Sequence, residues 1–97
     1  MRIIARKTLK DFWLKHQDAE EPLKAWFTEA KNAHWHSPID IKNRYRNVSF
    51  LSDNRVVFNI KGNKYRLIIM VHYAFELIYI RFLDTHQEYD KIDATKI

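Results

Sequence analysis

Apolar residues recur with two different periods along the chain, and the change between them divides it. Leu9, Phe12, Trp13 and His16 follow helical spacing, and Leu23, Trp26, Phe27 and Ala30 form a second helical face. Thr8 with Asp11 has the spacing of a capping pair. So does Asp18 with Glu21, followed by Pro22 in the first turn, where a missing N–H costs least. Two antiparallel helices are therefore expected after a short first strand over Arg2–Arg6. Ser37-Pro38 ends the helical pattern, because the residue before proline is pushed out of the helical region, and IDIKNRYRN is expected to be a polar connector. Beyond it the period is two. Arg55–Ile60, Tyr65–Tyr73 and Leu77–Leu83 read as strands of an antiparallel meander, with a turn at Lys61-Gly62-Asn63 and a tight link at Ala74–Glu76.

Successive strand residues point to opposite sides of a sheet. Val56, Phe58 and Ile60, Leu67, Ile69 and Val71, and Ile78, Ile80 and Phe82 are thus expected to face the helices. Arg66 then falls on the other, open face with Asn59, Tyr79 and Arg81, and Lys64 shares its parity. Converging cations and hydrogen-bond donors on a sheet surface suit a phosphodiester. Together with the turn residues Lys61 and Asn63 they make an expected RNA-binding set. The alternative is structural: Arg66 and Arg81 lie along the sheet or pair with Glu76 and Asp84.

Composition narrows the classes. Seventeen Lys and Arg against twelve Asp and Glu give a charge of +5, which favours a polyanionic partner without requiring one. Without cysteine there is no disulfide framework and no thiolate metal site, and a reducing compartment is compatible. The longest apolar run, Leu67–Val71, is far short of the roughly 20 residues a membrane span needs, so a cytoplasmic protein with no membrane contact is expected. At 97 residues the chain reads as one domain over 1–97. His34 and His36 lie two apart with no third ligand evident nearby, and no GxGxxG, P-loop or GxSxG occurs, so neither metal nor cofactor is expected.

After the last strand, His86 precedes Tyr89 by three residues, so one helical turn would bring an imidazole and a phenol to one corner. Cleaving RNA through its own 2′-hydroxyl needs a base, a cation for the phosphorane charge and an acid for the leaving oxygen. His86, Arg66 and Tyr89 are the candidates. Their structural alternative is a histidine capping the strand and a tyrosine packed on Trp13 or Trp26.

The segments VVFNIKGNKYRLI and YIRFLDTHQEYDKIDA, with AHWHSPIDIK upstream, resemble the HigB family of type II toxins in the RelE/ParE-like superfamily. The resemblance implies an α+β, RelE-like fold: two N-terminal helices on a curved, mainly antiparallel sheet, with a short C-terminal helical turn. It also implies an mRNA interferase that needs no metal, acts on messages in the ribosomal A site and is neutralised by a HigA-type helix-turn-helix antitoxin. The strand arginine that contacts the scissile phosphate in such toxins matches Arg66. The basic or imidazole residue after the last strand matches His86, and a following tyrosine matches Tyr89. Asp84 stands where glycine is expected, and a carboxylate there would repel substrate or raise the pKa of His86. The ParE branch shares the fold but poisons DNA gyrase, so a non-enzymatic gyrase poison or basic nucleic-acid-binding module is the alternative function.

Overall fold

The computed structural model describes residues 1–97. The chain runs through β1 (Arg2–Ile4), α1 (Arg6–Lys15), α2 (Glu20–Asn32), α3 (Pro38–Arg44), β2 (Ser49–Leu51), β3 (Arg55–Ile60), β4 (Tyr65–His72), β5 (Leu77–Thr85) and α4 (His86–Tyr89). The five strands form one open sheet in the order β1-β5-β4-β3-β2. β1 pairs parallel to β5, and the other three pairings are antiparallel.

Leu9 of α1, Leu23, Trp26 and Ala30 of α2 and Ile41 of α3 join one cluster with Val56, Phe58, Leu67, Ile69, Val71, Ile78 and Ile80. The three helices therefore cover one face of the sheet. Phe58 is its aromatic hub, meeting Trp26 at 5.5 Å and Tyr45 at 5.0 Å between ring centroids, both edge-on, as ring quadrupoles prefer. Burying a side chain of that size stabilises the fold by about 1.5–3 kcal/mol.

Several sequence expectations need correcting. The connector IDIKNRYRN lies largely in α3, because Pro38 both ends the preceding pattern and occupies the first turn of a new helix, whose Ile41 is fully buried. His36 N–H donates to the Asp40 carboxylate across its start, 2.9 Å away. Thr8 does not cap α1; that helix begins at Arg6 after Ala5 turns into the left-handed region at φ 73°. Nor does Asp18 cap α2, because its carboxylate is used elsewhere.

The largest correction concerns β5. Ile68 pairs with Phe82 but Ile69 pairs with Ile80, so Arg81 is an extra, unpaired residue. A bulge of this kind reverses the parity of everything beyond it. Phe82 consequently lies on the face of Arg66, and Leu83 takes the helix side with Leu67. That second face is also less open than alternation implies. Val57 and Ile68 on it are buried, and Arg55 Nε donates to the Ile97 carbonyl at 2.6 Å, carrying the C-terminal segment back across it.

Candidate active site

Strand register sets a row of three residues across the second face, with Asn59 and Asp84 as the neighbours of Arg66 on β3 and β5. The half-buried Arg66 makes no ion pair. Its guanidinium donates to the Asn63 carbonyl at 3.0 Å and the Tyr65 carbonyl at 3.4 Å, both neutral acceptors at the strand mouth. Asp84, which could have neutralised it, accepts instead from the N–H of Thr85 at 2.8 Å. Glu76 is held by His34 Nδ1 at 2.8 Å, and that imidazole keeps the Glu76 carboxyl below its usual range. The structural alternative of an Arg66 ion pair with Asp84 or Glu76 is therefore not realised.

The turn of helix after β5 forms as its spacing predicts. Thr85 Oγ1 accepts from Glu88 N–H at 3.2 Å, which fixes the start of α4, and His86 N–H donates to the Lys64 carbonyl at 3.0 Å, which ties α4 to the mouth of β4. His86 Nδ1 lies 3.2 Å from a carboxylate oxygen of Asp90, one helical turn on. This leaves Nε2 as the nitrogen able to exchange a proton with a ligand. Tyr89 packs beside Phe82, ring centroids 6.4 Å apart, and the Arg66 guanidinium sits 5.9 Å from the Tyr89 ring centroid. Tyr89 thus packs on neither Trp13 nor Trp26. Asn63, Lys64, Thr85, His86 and Gln87 line a shallow cleft of about 430 Å³ beside this corner.

The residues expected to bind RNA are spread more widely than their parity suggests. Asn59 stands beside Arg66, and exposed Lys61 and Asn63 flank it in the β3–β4 turn, where Lys61 and Gly62 both take positive φ. Tyr79 pairs with Met70, further along the same face, and Arg81 is exposed in the bulge. Lys64 lies in the turn, outside the strand where parity applies. Its Nζ bonds the Asp18 carboxylate at 2.5 Å, and that carboxylate also accepts from the Tyr65 hydroxyl. His16 and His72 are stacked on Phe12 and Phe75 respectively.

Asp18 and Asp90 escape the sequence reading for different reasons. The four-residue interval from His86 to Asp90 is a legible helical pairing. Asp18 reaches the site from 46 residues away, which no local pattern reports. The bonds from Lys64 and then Tyr65 hold the Asp18 carboxyl below its ordinary 3.8. A depressed carboxyl contributes stability that is present above its unfolded pKa and is lost as pH falls through the folded one. Asp18→Asn should therefore lower Tm at neutral pH, with the deficit shrinking as the wild type is acidified below that ordinary value. Thermal melts across the acid range check this; a deficit constant with pH would contradict it.

Residues 19–92 match the family model of the HigB toxin, the RelE-like toxic component of a toxin-antitoxin system. The chain is 32% identical over 97 residues to the mRNA interferase toxin HigB of Escherichia coli strain K12, covering 97% of this chain and 92% of that relative. The same figures hold for the mRNA interferase HigB of Escherichia coli O157:H7 and of Shigella flexneri. The structure agrees with a RelE-like fold: four α-helices and an open, mixed five-stranded sheet. No helix is long and apolar enough to cross a membrane.

Proposed function

Because the chain belongs to the HigB family of RelE-like toxins, we propose that it is an mRNA interferase acting in the cytoplasm on messages in the ribosomal A site, and that a HigA-type antitoxin restrains it. One observation carries the reading: Arg66, free of any carboxylate, shares a corner of the sheet with a tyrosine and with an imidazole backed by Asp90. Arg66 exchanges its two carbonyl acceptors for the scissile phosphate, where charge-assisted bonds are stronger than bonds to neutral oxygens.

The 2′-oxygen then attacks phosphorus and the bond to the 5′-oxygen breaks. The products are a 2′,3′-cyclic phosphate and a free 5′-hydroxyl, and one proton moves from nucleophile to leaving group. His86 Nε2 is the group for that transfer, as base or acid, with Asp90 stabilising the imidazolium; Tyr89 positions Arg66 and the phosphate. The guanidinium offsets the growing negative charge on the phosphorane. Exposed Lys61, Asn63, Asn59 and Arg81 hold the flanking strand, and Lys64 and Tyr79 border its path.

Primer extension on cellular messages after induction tests the function. Discrete cuts at codon-spaced positions are expected. Intact messages accompanied by a DNA-damage response would indicate a gyrase poison instead.

A further inference from the structure

Lys64, Tyr65 and Arg66 form the mouth of β4, and the backbone there carries the active corner. The Lys64 carbonyl accepts from the His86 N–H at 3.0 Å, and the Tyr65 carbonyl accepts from the Arg66 guanidinium at 3.4 Å. Tyr65 also pairs in register with Thr85, whose hydroxyl caps α4. The side chains of Lys64 and Tyr65 run to another element. Lys64 Nζ and the Tyr65 hydroxyl both donate to Asp18, each to its own carboxylate oxygen. Asp18 lies in the single turn Gln17–Ala19 that joins α1 to α2. The same junction grips the buried Tyr65 ring, because Phe12 and His16, stacked on each other, meet it edge-on at 5.1 and 5.4 Å between centroids.

We propose that Asp18 is a positioning residue of the active corner, its one carboxylate fixing the peptide on which His86 hangs. The inference rests on the toxin reading and adds to it a residue of the helical layer. Lys64 and Tyr65 are consecutive, so a carboxylate that accepts from both side chains sets the direction of the peptide between them, whose carbonyl receives the His86 N–H. Successive side chains of a strand diverge. These two converge because Lys64 is still in the turn. The ion pair itself is exposed, 59% at Lys64 and 34% at Asp18, where charge pairing adds little to stability. Position matters far more, since misplacing a reacting group by about 1 Å costs on the order of a hundredfold in rate. The opposed role, in which Asp18 only screens Lys64 from the message, predicts the opposite sign: removing the carboxylate would free a cation and speed cutting.

The test compares Asp18→Ala with wild type and with Ile41→Val, a destabilising truncation of the buried α3 residue, which makes none of these bonds. In the free protein, the His86 backbone amide should exchange its hydrogen at least about tenfold faster in Asp18→Ala and at the wild-type rate in Ile41→Val. On programmed ribosomes, below the melting range of all three, single-turnover cutting by Asp18→Ala should fall at least about tenfold with binding no weaker than wild type. Ile41→Val should cut normally. Cutting by Asp18→Ala at or above the wild-type rate overturns the proposal and leaves the toxin reading intact. So does slow cutting with unchanged exchange at His86, or equal slowing in Ile41→Val, which would make the effect one of stability. A wild-type chain that cuts no message overturns both.

Discussion

Arg66→Ala should abolish message cleavage and growth arrest while the protein stays folded. The side chain is half-buried, enters no ion pair and donates only to two backbone carbonyls at the strand mouth, so its removal orphans no buried charge. What the fold loses is the contact with Tyr89, worth about 0.5–1 kcal/mol, and the two hydrogen bonds to the Asn63 and Tyr65 carbonyls, each worth about 0.5–1.5 kcal/mol at most. What the reaction loses is a preorganised charge at the phosphorane, a loss of about 2.7–4 kcal/mol, or roughly a hundred- to a thousandfold in rate. Arg66→Lys should recover little of it, because a point charge does not reproduce the two parallel bonds of a guanidinium to phosphate. Single-turnover cleavage on programmed ribosomes, beside thermal melts, separates the two effects. An Arg66→Ala protein that cuts at the wild-type rate would remove Arg66 from the mechanism.

His86→Ala is the second large effect, a fall of about a hundred- to ten-thousandfold in the rate of cutting, as for other lost proton-transfer groups. The fall should appear in the cleavage step of single-turnover reactions, with binding to the programmed ribosome unchanged. Asp90→Asn should act in the same direction but more weakly. It keeps a polar group beside Nδ1 and loses the carboxylate charge 3.2 Å away. A His86→Ala enzyme that cuts at the wild-type rate would show that the proton moves by another route, and Tyr89 would become the group to test.

How much of this was legible in the sequence depends on how local each feature is. β3 appears with the bounds its alternation predicts, and Arg66 stands on the second face with Asn59 beside it because no irregularity interrupts β3 and the start of β4. The one-turn relation of His86 to Tyr89 survives for the same reason. Alternation fails at Arg81: an inserted residue leaves no mark on the apolar pattern, and it sends Phe82 to the side of Tyr89. Parity fails at Lys64 because the residue lies in the turn, where Asp18 captures it. Ser37-Pro38 has two physical meanings, a stop for one helix and a start for the next, and only the burial of Ile41 selects the second. Asp84 shows the limit of reasoning from charge type alone. Its carboxylate is turned to the Thr85 N–H, so the arginine beside it stays available for an anion.

The central claim is that this corner of the sheet cuts RNA by using the message's own 2′-hydroxyl, clamped by Arg66. A message carrying one 2′-deoxynucleotide at the mapped cut position, presented on the ribosome to the wild-type protein, tests it most directly. The account predicts binding without cleavage at that position, with the unmodified message giving a 2′,3′-cyclic phosphate and a 5′-hydroxyl. Cleavage of the deoxy message at the normal rate, leaving a 3′-hydroxyl and a 5′-phosphate, would contradict it.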